Sequence, residues 1–239
     1  MEIIYLLILA IGVGLGFYAQ TIVGFAASLV AFPIILNILE IQEAVALMSI
    51  FFFIFSIILI YKNWNLINKK TIIKMLIGII IGLLLGIWLL KFGNPVILKK
   101  ILGAFILIFI GYSYLKKKRI KLFKKLGFLF GFIGGLFSGL FSTGGSPFIA
   151  YIYNELKDPD IIRATIIGTL GITNFLRVPI LIYSGILTYN IFITALYIIP
   201  FFLLALFLGN KTYEKISKTT FKHVLMIFLA LSAVSLIII

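Results

Sequence analysis

The chain has 239 residues, of which 63% are hydrophobic and only 12% are charged, and its formal net charge is +14. Soluble domains contain roughly 45–50% apolar and about 25% charged residues, so this composition excludes an ordinary soluble fold. The chain contains no cysteine, which excludes disulfides and cysteine-ligated metal sites. Its seven acidic residues are scattered over predicted loops, which argues against a carboxylate metal cage.

Long uncharged stretches occupy most of the chain. A transmembrane helix needs about 20 largely apolar residues, and one such stretch would fit a signal peptide, whereas a whole series does not. The stretches are 3–39, 44–61, 75–90, 101–115, 126–154, 164–176, 178–210 and 223–239. We predict an all-α polytopic membrane protein that the lipid bilayer surrounds. Because the basic residues lie in short loops between these stretches, no nucleic-acid partner is expected.

The most basic segment, KKKRIKLFKK at 116–125, separates two halves of similar length. We predict a first repeat at 1–115, a connector at 116–125 and a second repeat at 126–239. Each repeat begins with a long Gly-rich stretch and continues with three simpler membrane spans. The predicted spans are 43–61, 72–91 and 96–115 in the first repeat, and 161–183, 188–208 and 219–239 in the second.

The two Gly-rich stretches resemble each other in the order of their features. Shifting one half by 118 residues places TIVGFAASLVAFP, residues 21–33, over GLFSTGGSPFIAY, residues 139–151. Ser28 then coincides with Ser146. This overlay, together with the shared order of elements, predicts an internal duplication.

Length and charge predict how the Gly-rich stretches cross the membrane. As one helix, residues 3–39 would be about 55 Å long, whereas the hydrocarbon core is about 30 Å thick. Both Gly-rich stretches are therefore predicted to be two helical pieces. If each is a hairpin that returns to its starting side, 17 of the 21 Lys and Arg lie in loops on one face. Those loops are 62–74, 116–125, 155–163 and 209–222.

The positive-inside rule places loops 62–74, 116–125 and 209–222 in the cytoplasm of a multi-pass cell-membrane protein. Each half then has five helical pieces. Because five is odd, the halves are predicted to be inverted repeats, each a broken or hairpin segment plus three transmembrane helices, with 8–10 membrane segments in total. Whether the Gly-rich stretches are re-entrant or fully spanning is left open.

The break in the second half, FSTGGSPF, has the features of a ligand site. Gly144 and Gly145 tolerate positive φ, and Pro147 favours a new helix that starts near Ser146. Ser142, Thr143 and Ser146 would then lie beside free backbone N–H groups, where anions bind. The alternative is a structural hairpin tip.

The first half carries a weaker copy of this break. Gln20 and Thr21 are polar within an apolar run, and Ser28 is among several small residues that follow them. The amide of Gln20 suits an oxyanion and a hydrogen bond between helices equally well.

Arg177 is the one charge well inside a predicted span. Such charges are costly and usually face a cavity or a partner. No acidic residue lies in a predicted span to neutralise it, which favours a substrate anion as the partner. The alternative is that Arg177 extends to the outer interface. Asn174 shares its helix face.

Glycines recur every fourth residue at two places. They are Gly78, Gly82 and Gly86, and then Gly127, Gly131, Gly135 and Gly139. This spacing predicts helices that pack closely through their backbones.

These motifs resemble the sulfite exporter TauE/SafE family, also called the toluene sulfonate uptake permease family. TIVGFAASLVAFP is similar to the signature of its first half, and GLFSGLFSTGGSPFIAYIYN to that of its second. RATIIGTLGITNFLRVPILIYSGILT resembles the stretch that follows, with Arg163, Thr165, Asn174 and Arg177 matching. The resemblance covers nearly the whole chain and implies transport of small, often sulfur-containing anions driven by an ion gradient. Ser142 and Ser146 stand where many members have glycine, which leaves the substrate open.

We therefore expect a secondary transporter, and no enzyme, that moves a small sulfite- or sulfonate-class anion by alternating access. An anion or water channel built on the same hairpins is the alternative. No cofactor is expected apart from a coupling ion, proton or sodium, and a homo-oligomer is left open. The expected substrate-binding residues are Gln20, Thr21, Ser28, Ser142, Thr143, Gly144, Gly145, Ser146, Asn174 and Arg177.

Overall fold

The computed structural model describes residues 2–23, 27–114, 126–213, 226–230, 233–234 and 236–237. All regular structure within these ranges is helical. The predicted connector 116–125 and most of the predicted loop 209–222 lie outside them.

Nine α-helices are described in these ranges, and a 3₁₀ turn follows the third of them. They are α1 (Glu2–Val23), α2 (Ala27–Ile35), α3 (Ile41–Asn63), α4 (Lys69–Phe92), α5 (Pro95–Tyr114), α6 (Gly127–Phe141), α7 (Gly145–Glu155), α8 (Pro159–Tyr183) and α9 (Tyr189–Tyr213). The 3₁₀ turn is Trp64–Leu66.

Five of the described helices, α1, α3, α4, α8 and α9, are long and apolar enough to cross a membrane. Helices α2, α6 and α7 are shorter, with 9, 15 and 11 residues. The prediction of two helical pieces in each Gly-rich stretch is confirmed. The predicted spans that became α3, α4, α8 and α9 are confirmed with ends shifted by a few residues. The span predicted at 96–115 forms helix α5, and its crossing of the membrane stays a prediction. Most of the span predicted at 219–239 lies outside the described residues.

The helices form two compact units, each built from helices of both predicted halves. One unit contains α1, α2, α5 and α9, and the other contains α4, α6, α7 and α8. Helix α3 is divided between them after Met48. The repeat boundaries at 115 and 126 stay a prediction.

In the first unit, α1 and α2 form an antiparallel pair. Gly16 lies against the backbone of Ala27, and Gly12 lies against Ile35 at the other end of α2. Helix α9 packs on α1. Gly14 contacts Ala205 and, further along both helices, Thr21 contacts Gly209, so the two helices run parallel.

In the second unit, α4 and α6 touch through their backbones. A Cβ added to Gly78, Gly82 or Gly86 would overlap a carbonyl oxygen of α6, and one added to Gly131 or Gly135 would overlap a carbonyl oxygen of α4. The two helices run parallel, since Gly78 faces Phe128 and Gly86 faces Leu136. The close packing that the glycine spacing predicts is confirmed.

Helices α6 and α7 form a hairpin whose two ends lie together. The Tyr151 hydroxyl near the end of α7 lies against Gly127 at the start of α6. Glu155, the last residue of α7, forms an ion pair with Lys74 in the second turn of α4. Helix α7 therefore returns to the face from which α6 starts, as the charge pattern predicts.

Helix α8 begins on this same face and runs antiparallel to α3. The backbone N–H of Asn68, just before α4, donates to Thr165 Oγ1 near the start of α8, with N and Oγ1 3.0 Å apart. Further along, Ile60 contacts Gly171, and the rings of Phe53 and Phe175 lie 4.7 Å apart. Loops 62–74 and 155–163 thus share one face of this unit.

The α4–α6 contact generates the first prediction. In Gly82→Ala, the new methyl group would overlap the Phe132 carbonyl oxygen, and such overpacking costs about 1–3 kcal/mol. The melting temperature of the detergent-purified variant should therefore fall. Gly111→Ala on α5 is the matched control, because no atom lies within 4 Å of a Cβ at Gly111. A melting temperature for Gly82→Ala equal to that of Gly111→Ala would contradict the backbone contact.

Candidate functional site

The break between α6 and α7 begins at Ser142. This residue caps the C-terminal end of α6 in the left-handed conformation, with φ 57°. Its backbone N–H donates to the Ser138 carbonyl, with N and O 3.0 Å apart. The Gly144–Gly145 pair was expected to tolerate positive φ, but Gly144 does not use this freedom, because its φ is −69°. The left-handed residue falls at the C-terminal end of α6, where helices commonly take this conformation.

Gly144 is required for a different reason, which is the close approach of the chain to α6. A Cβ at this position would overlap the Gly134 carbonyl oxygen and the Ser138 hydroxyl. Helix α7 then starts at Gly145, with Ser146 and Pro147 in its first turn. Proline is tolerated there because the first N–H groups of a helix have no partner within the helix.

The residue before α7 does not cap the helix with its side chain. Gly144 occupies the N-cap position and has no side chain that could accept a hydrogen bond. The Oγ1 atom of Thr143 is buried and has no hydrogen-bond partner within the described part of the chain. The α7 N-terminus, where the helix dipole is positive, thus lies next to a buried hydroxyl that is not used within the fold.

Arg177, on α8, is 1% exposed and meets the α6–α7 hairpin at Ser138. Its Nη1 atom donates to the Ser138 carbonyl, with N and O 3.1 Å apart. Its guanidinium carbon lies 5.6 Å from the centre of the Phe52 ring, which is within cation–π distance. The alternative that Arg177 extends to the outer interface is wrong, because its side chain is enclosed by α6 and α3.

The other nitrogens of this guanidinium are not used. Arg177 Nε and Nη2 are buried and have no hydrogen-bond partner among the described residues. Nor does Arg177 form an ion pair with any residue that the structure describes. A buried cation that lacks a carboxylate and keeps two N–H donors free is unusual, since such groups are normally paired.

The threonine hydroxyls along the same face of α8 all have hydrogen-bond partners, Thr165 at Asn68 and the other two within the helix. Thr165, Thr169, Thr173 and Arg177 recur every fourth residue and are all buried. The hydroxyls of Thr169 and Thr173 each donate to the carbonyl four residues earlier, at 2.8 Å. On this face of α8, the buried side-chain donors without a partner among the described residues are therefore those of Arg177.

Asn174 joins α8 to α3. Its Nδ2 atom donates to Ser56 Oγ at 2.8 Å and lies 3.4 Å from the Phe52 carbonyl oxygen. The side chain thus contacts α3, one helical turn from Arg177.

The three predicted site residues of the first half lie in the other unit. Gln20 Oε1 accepts from the Ala27 backbone N–H at 3.0 Å and so caps α2. Thr21 donates to the Phe17 carbonyl within α1 at 2.8 Å, and Ser28 is buried in α2. A single site formed by both breaks stays a prediction.

Three residues that contact the candidate site were not predicted. Ser138 is the carbonyl partner of Arg177, Phe52 faces the guanidinium, and Ser56 binds Asn174. Ser138 had a weak signal, because it precedes Ser142 by one helical turn within the Gly-rich run. Phe52 and Ser56 had none, since α3 is uniformly apolar around them.

A shallow groove on the second unit lies apart from these residues. Its lining is mainly apolar and consists of Ile57, Ile60, Tyr61, Trp64, Asn65 and Phe175. None of the predicted site residues lines it, so it is not a candidate anion site.

The fold and the site define a class of protein. Several helices long and apolar enough to cross a bilayer define an integral membrane protein, and a cation is buried beside one of its helix breaks. The whole chain, apart from its ends, matches the family model of the sulfite exporter TauE/SafE proteins over residues 8–236. The chain belongs to the sulfite exporter TauE/SafE family, which is a family of membrane transporters.

Comparison with curated proteins and with solved structures gave no match.

The two adjacent glycines generate the second prediction. Gly144→Ala would drive a methyl group into Gly134 and Ser138 and should lower stability by about 1–3 kcal/mol. Gly145→Ala is the control, because the nearest atom to a Cβ there is Leu170 Cδ2 at 3.9 Å. Melting temperatures of the two purified variants measure the difference. Equal melting temperatures would mean that Gly144 does not approach α6 closely.

Proposed function

We propose that this protein is a secondary transporter that binds a small oxyanion of the sulfite or sulfonate class at Arg177. The observation that carries the proposal is a pair of buried nitrogens on that side chain, Nε and Nη2, that have no hydrogen-bond partner in the described part of the chain. A guanidinium is always charged at neutral pH. Because no carboxylate pairs with Arg177 among the described residues, an anion from outside the chain is the partner that its charge favours.

The identity of the two nitrogens supports an oxyanion in particular. Nε–H and the nearer N–H of Nη2 are parallel and form one edge of the guanidinium. Two oxygens on one carbon, sulfur or phosphorus atom match this edge and accept two parallel hydrogen bonds. The third nitrogen, Nη1, is held by Ser138, which fixes the orientation of the free edge.

The surroundings of Arg177 strengthen such an interaction. The side chain is shielded from solvent, and a charge pair at a low local dielectric constant attracts more strongly than one in water. The Ser138 carbonyl and the Phe52 ring face offset part of the charge. They carry no full negative charge, so an oxyanion would complete the neutralisation.

The α7 N-terminus supplies the second part of the proposed site. Gly144 packs against Ser138, the residue that also holds Arg177. Thr143, with its unused hydroxyl, immediately precedes Gly144. In the proposal, the N–H groups and hydroxyls of residues 142–146 bind the oxygens that Arg177 leaves free. Asn174 positions α8 through its hydrogen bond to Ser56, and a role for Gln20, Thr21 and Ser28 stays a prediction.

The helix boundaries support the internal duplication that alternating access requires. Adding 118 to the first residues of α2 and α3, 27 and 41, gives 145 and 159, which are the first residues of α7 and α8. The contacts correspond in the same way. Helix α1 packs on α9, and its counterpart α6 packs on α4, the counterpart of α9.

The antiparallel pair of α3 and α8 supports an inverted relation between the repeats. Ser56 and Asn174 are separated by 118 residues and are hydrogen-bonded to each other. Under the proposed duplication they are equivalent positions, and equivalent residues touch only where a two-fold axis passes between them. Because α3 and α8 cross there in opposite directions, the axis would lie in the membrane plane, as in inverted-repeat transporters.

In the proposed mechanism, the anion binds at Arg177 when the site is open to one side of the cell membrane. The two inverted repeats then rock about their axis and open the site to the other side. A coupling ion, proton or sodium, would supply the driving force, with loops 62–74, 116–125 and 209–222 in the cytoplasm. A channel would instead conduct without saturation.

Removing the proposed anion partner generates the third prediction. In Arg177→Leu, flux of radiolabelled sulfite through reconstituted proteoliposomes should fall to the level of protein-free vesicles, because the charge and both free donors are gone. Lys100→Leu on α5 is the matched control, since it removes an exposed cation and should leave flux unchanged. Saturable flux in the parent protein would distinguish a carrier from a channel.

A second readout guards against misfolding of the Arg177→Leu variant. Anions that bind the parent protein should raise its melting temperature by mass action, in a panel of sulfite, sulfonates and carboxylates. Arg177→Leu should keep a defined melting transition that none of these anions shifts. Sulfite flux equal to that of the parent in a folded Arg177→Leu protein would overturn the proposed site.

A further inference from the structure

We propose that this transporter is an obligatory anion exchanger, in which the site changes access readily only when an anion occupies it. The inference rests on the proposed function, since it takes Arg177 as the binding residue. It goes further by assigning how the binding site returns to the first side of the membrane after the anion has been released. The observation behind it is that the buried charge of Arg177 has no fixed counter-charge within the described residues.

The groups that the structure describes in contact with Arg177 are neutral. Helix α6 presents the Ser138 carbonyl, and α3 presents the Phe52 ring. On α8 itself, Thr173 and Asn174 are the polar neighbours, and both are uncharged. These dipoles lower the energy of the cation without cancelling its charge.

The acidic residues of this unit are occupied elsewhere or distant. Glu155 pairs with Lys74 at the face where α4, α6 and α8 begin. Asp158 caps α8, its carboxylate accepting from two backbone N–H groups. Asp160 is about 25 Å from Arg177 along the helix, at ~1.5 Å per residue.

The empty and loaded sites therefore differ in charge at the moment when access changes. An occluded site shields its contents from water on both sides, so an empty one would hold an uncompensated cation, which is costly. A bound monoanion makes the same site neutral. The loaded protein should change access faster than the empty protein, and a return without an anion should limit net transport.

In an exchange cycle, the gradient of the exchanged anion takes the place of the coupling ion, proton or sodium, of the mechanism proposed above. A coupling cation would not remove the difference in charge between the empty and the loaded site. A bound sodium ion or proton adds a positive charge to the site that already carries Arg177. The loaded site would then hold two cations and one anion, and it would keep the same net charge as the empty site. Exchange of one anion for another is the cycle in which the occluded site is neutral in both directions.

The experiment compares exchange with net efflux in the same vesicles. At a pH where the monoanion hydrogensulfite predominates, proteoliposomes containing the full chain are loaded with radiolabelled sulfite and diluted into medium with or without unlabelled sulfite. Potassium and valinomycin clamp the membrane potential, so that charge build-up does not slow net efflux. External sulfite should accelerate efflux at least about tenfold, since each ~1.4 kcal/mol of barrier is a factor of ten in rate and the penalty for an unpaired buried ion is larger.

Arg177→Lys separates the charge from the geometry. Lysine keeps the positive charge but lacks the two-donor edge. The variant should need more sulfite for half-maximal efflux and should keep its acceleration by external sulfite. Lys100→Leu should match the parent protein in both respects.

The two proposals fail in different ways. Arg177-dependent efflux that is equally fast with and without external sulfite overturns obligatory exchange and leaves the anion site intact. The same holds if a sodium or proton gradient, rather than external anion, produces the acceleration. Absence of Arg177-dependent flux of sulfite, methanesulfonate and acetate under both conditions overturns the proposed function itself.

Discussion

The backbone contact between α4 and α6 is the constraint on which the rest of the second unit depends. Glycines on both helices remove the side chains that would separate them, so the carbonyl groups of each helix fix the position of the other. Helix α6 in turn provides the Ser138 carbonyl that orients Arg177 and the surface against which Gly144 closes the hairpin. A site supported by rigid backbone holds its donors in place without a ligand, which is what precise anion recognition needs.

The distribution of satisfied and unsatisfied polar groups is the basis for the position proposed for the site. Most buried polar side chains described here have partners inside the fold: Gln20 caps a helix, Thr169 and Thr173 bond to their own helix, and Asn174 joins α8 to α3. Arg177 is the exception on α8, and Thr143 is the exception at the hairpin. Polar groups are costly to bury alone, so their occurrence on either side of Ser138 is better explained by a ligand than by packing.

Much of the architecture follows from physical limits that act on the sequence directly. A 37-residue apolar stretch is too long to cross a ~30 Å core as one helix, and this limit predicts the break that became α1–α2. The predicted duplication and the charge pattern extend the same reading to α6–α7. The glycine spacing predicts the α4–α6 contact for a similar reason. The conformation of the break could not be predicted, because two different residues carry its two constraints. Ser142 takes the left-handed conformation that ends α6, and Gly144 provides the close approach to α6. The neighbours of the candidate site could not be predicted either, since Phe52 meets Arg177 and Ser56 meets Asn174 only through tertiary packing.

The hydrogen bond between Ser56 and Asn174 also bears on the history of the chain. Two identical subunits that met at such a point would present the same side chain to each other, serine to serine or asparagine to asparagine. One gene encoding both copies frees the two positions to differ, so that the amide donates and the hydroxyl accepts. Under the proposed duplication, joining the two copies in one chain allowed a donor–acceptor pair of different residues, Asn174 and Ser56, to replace a pair of identical residues at this contact. Sequences that still pair two separate chains could not make that change on one side alone.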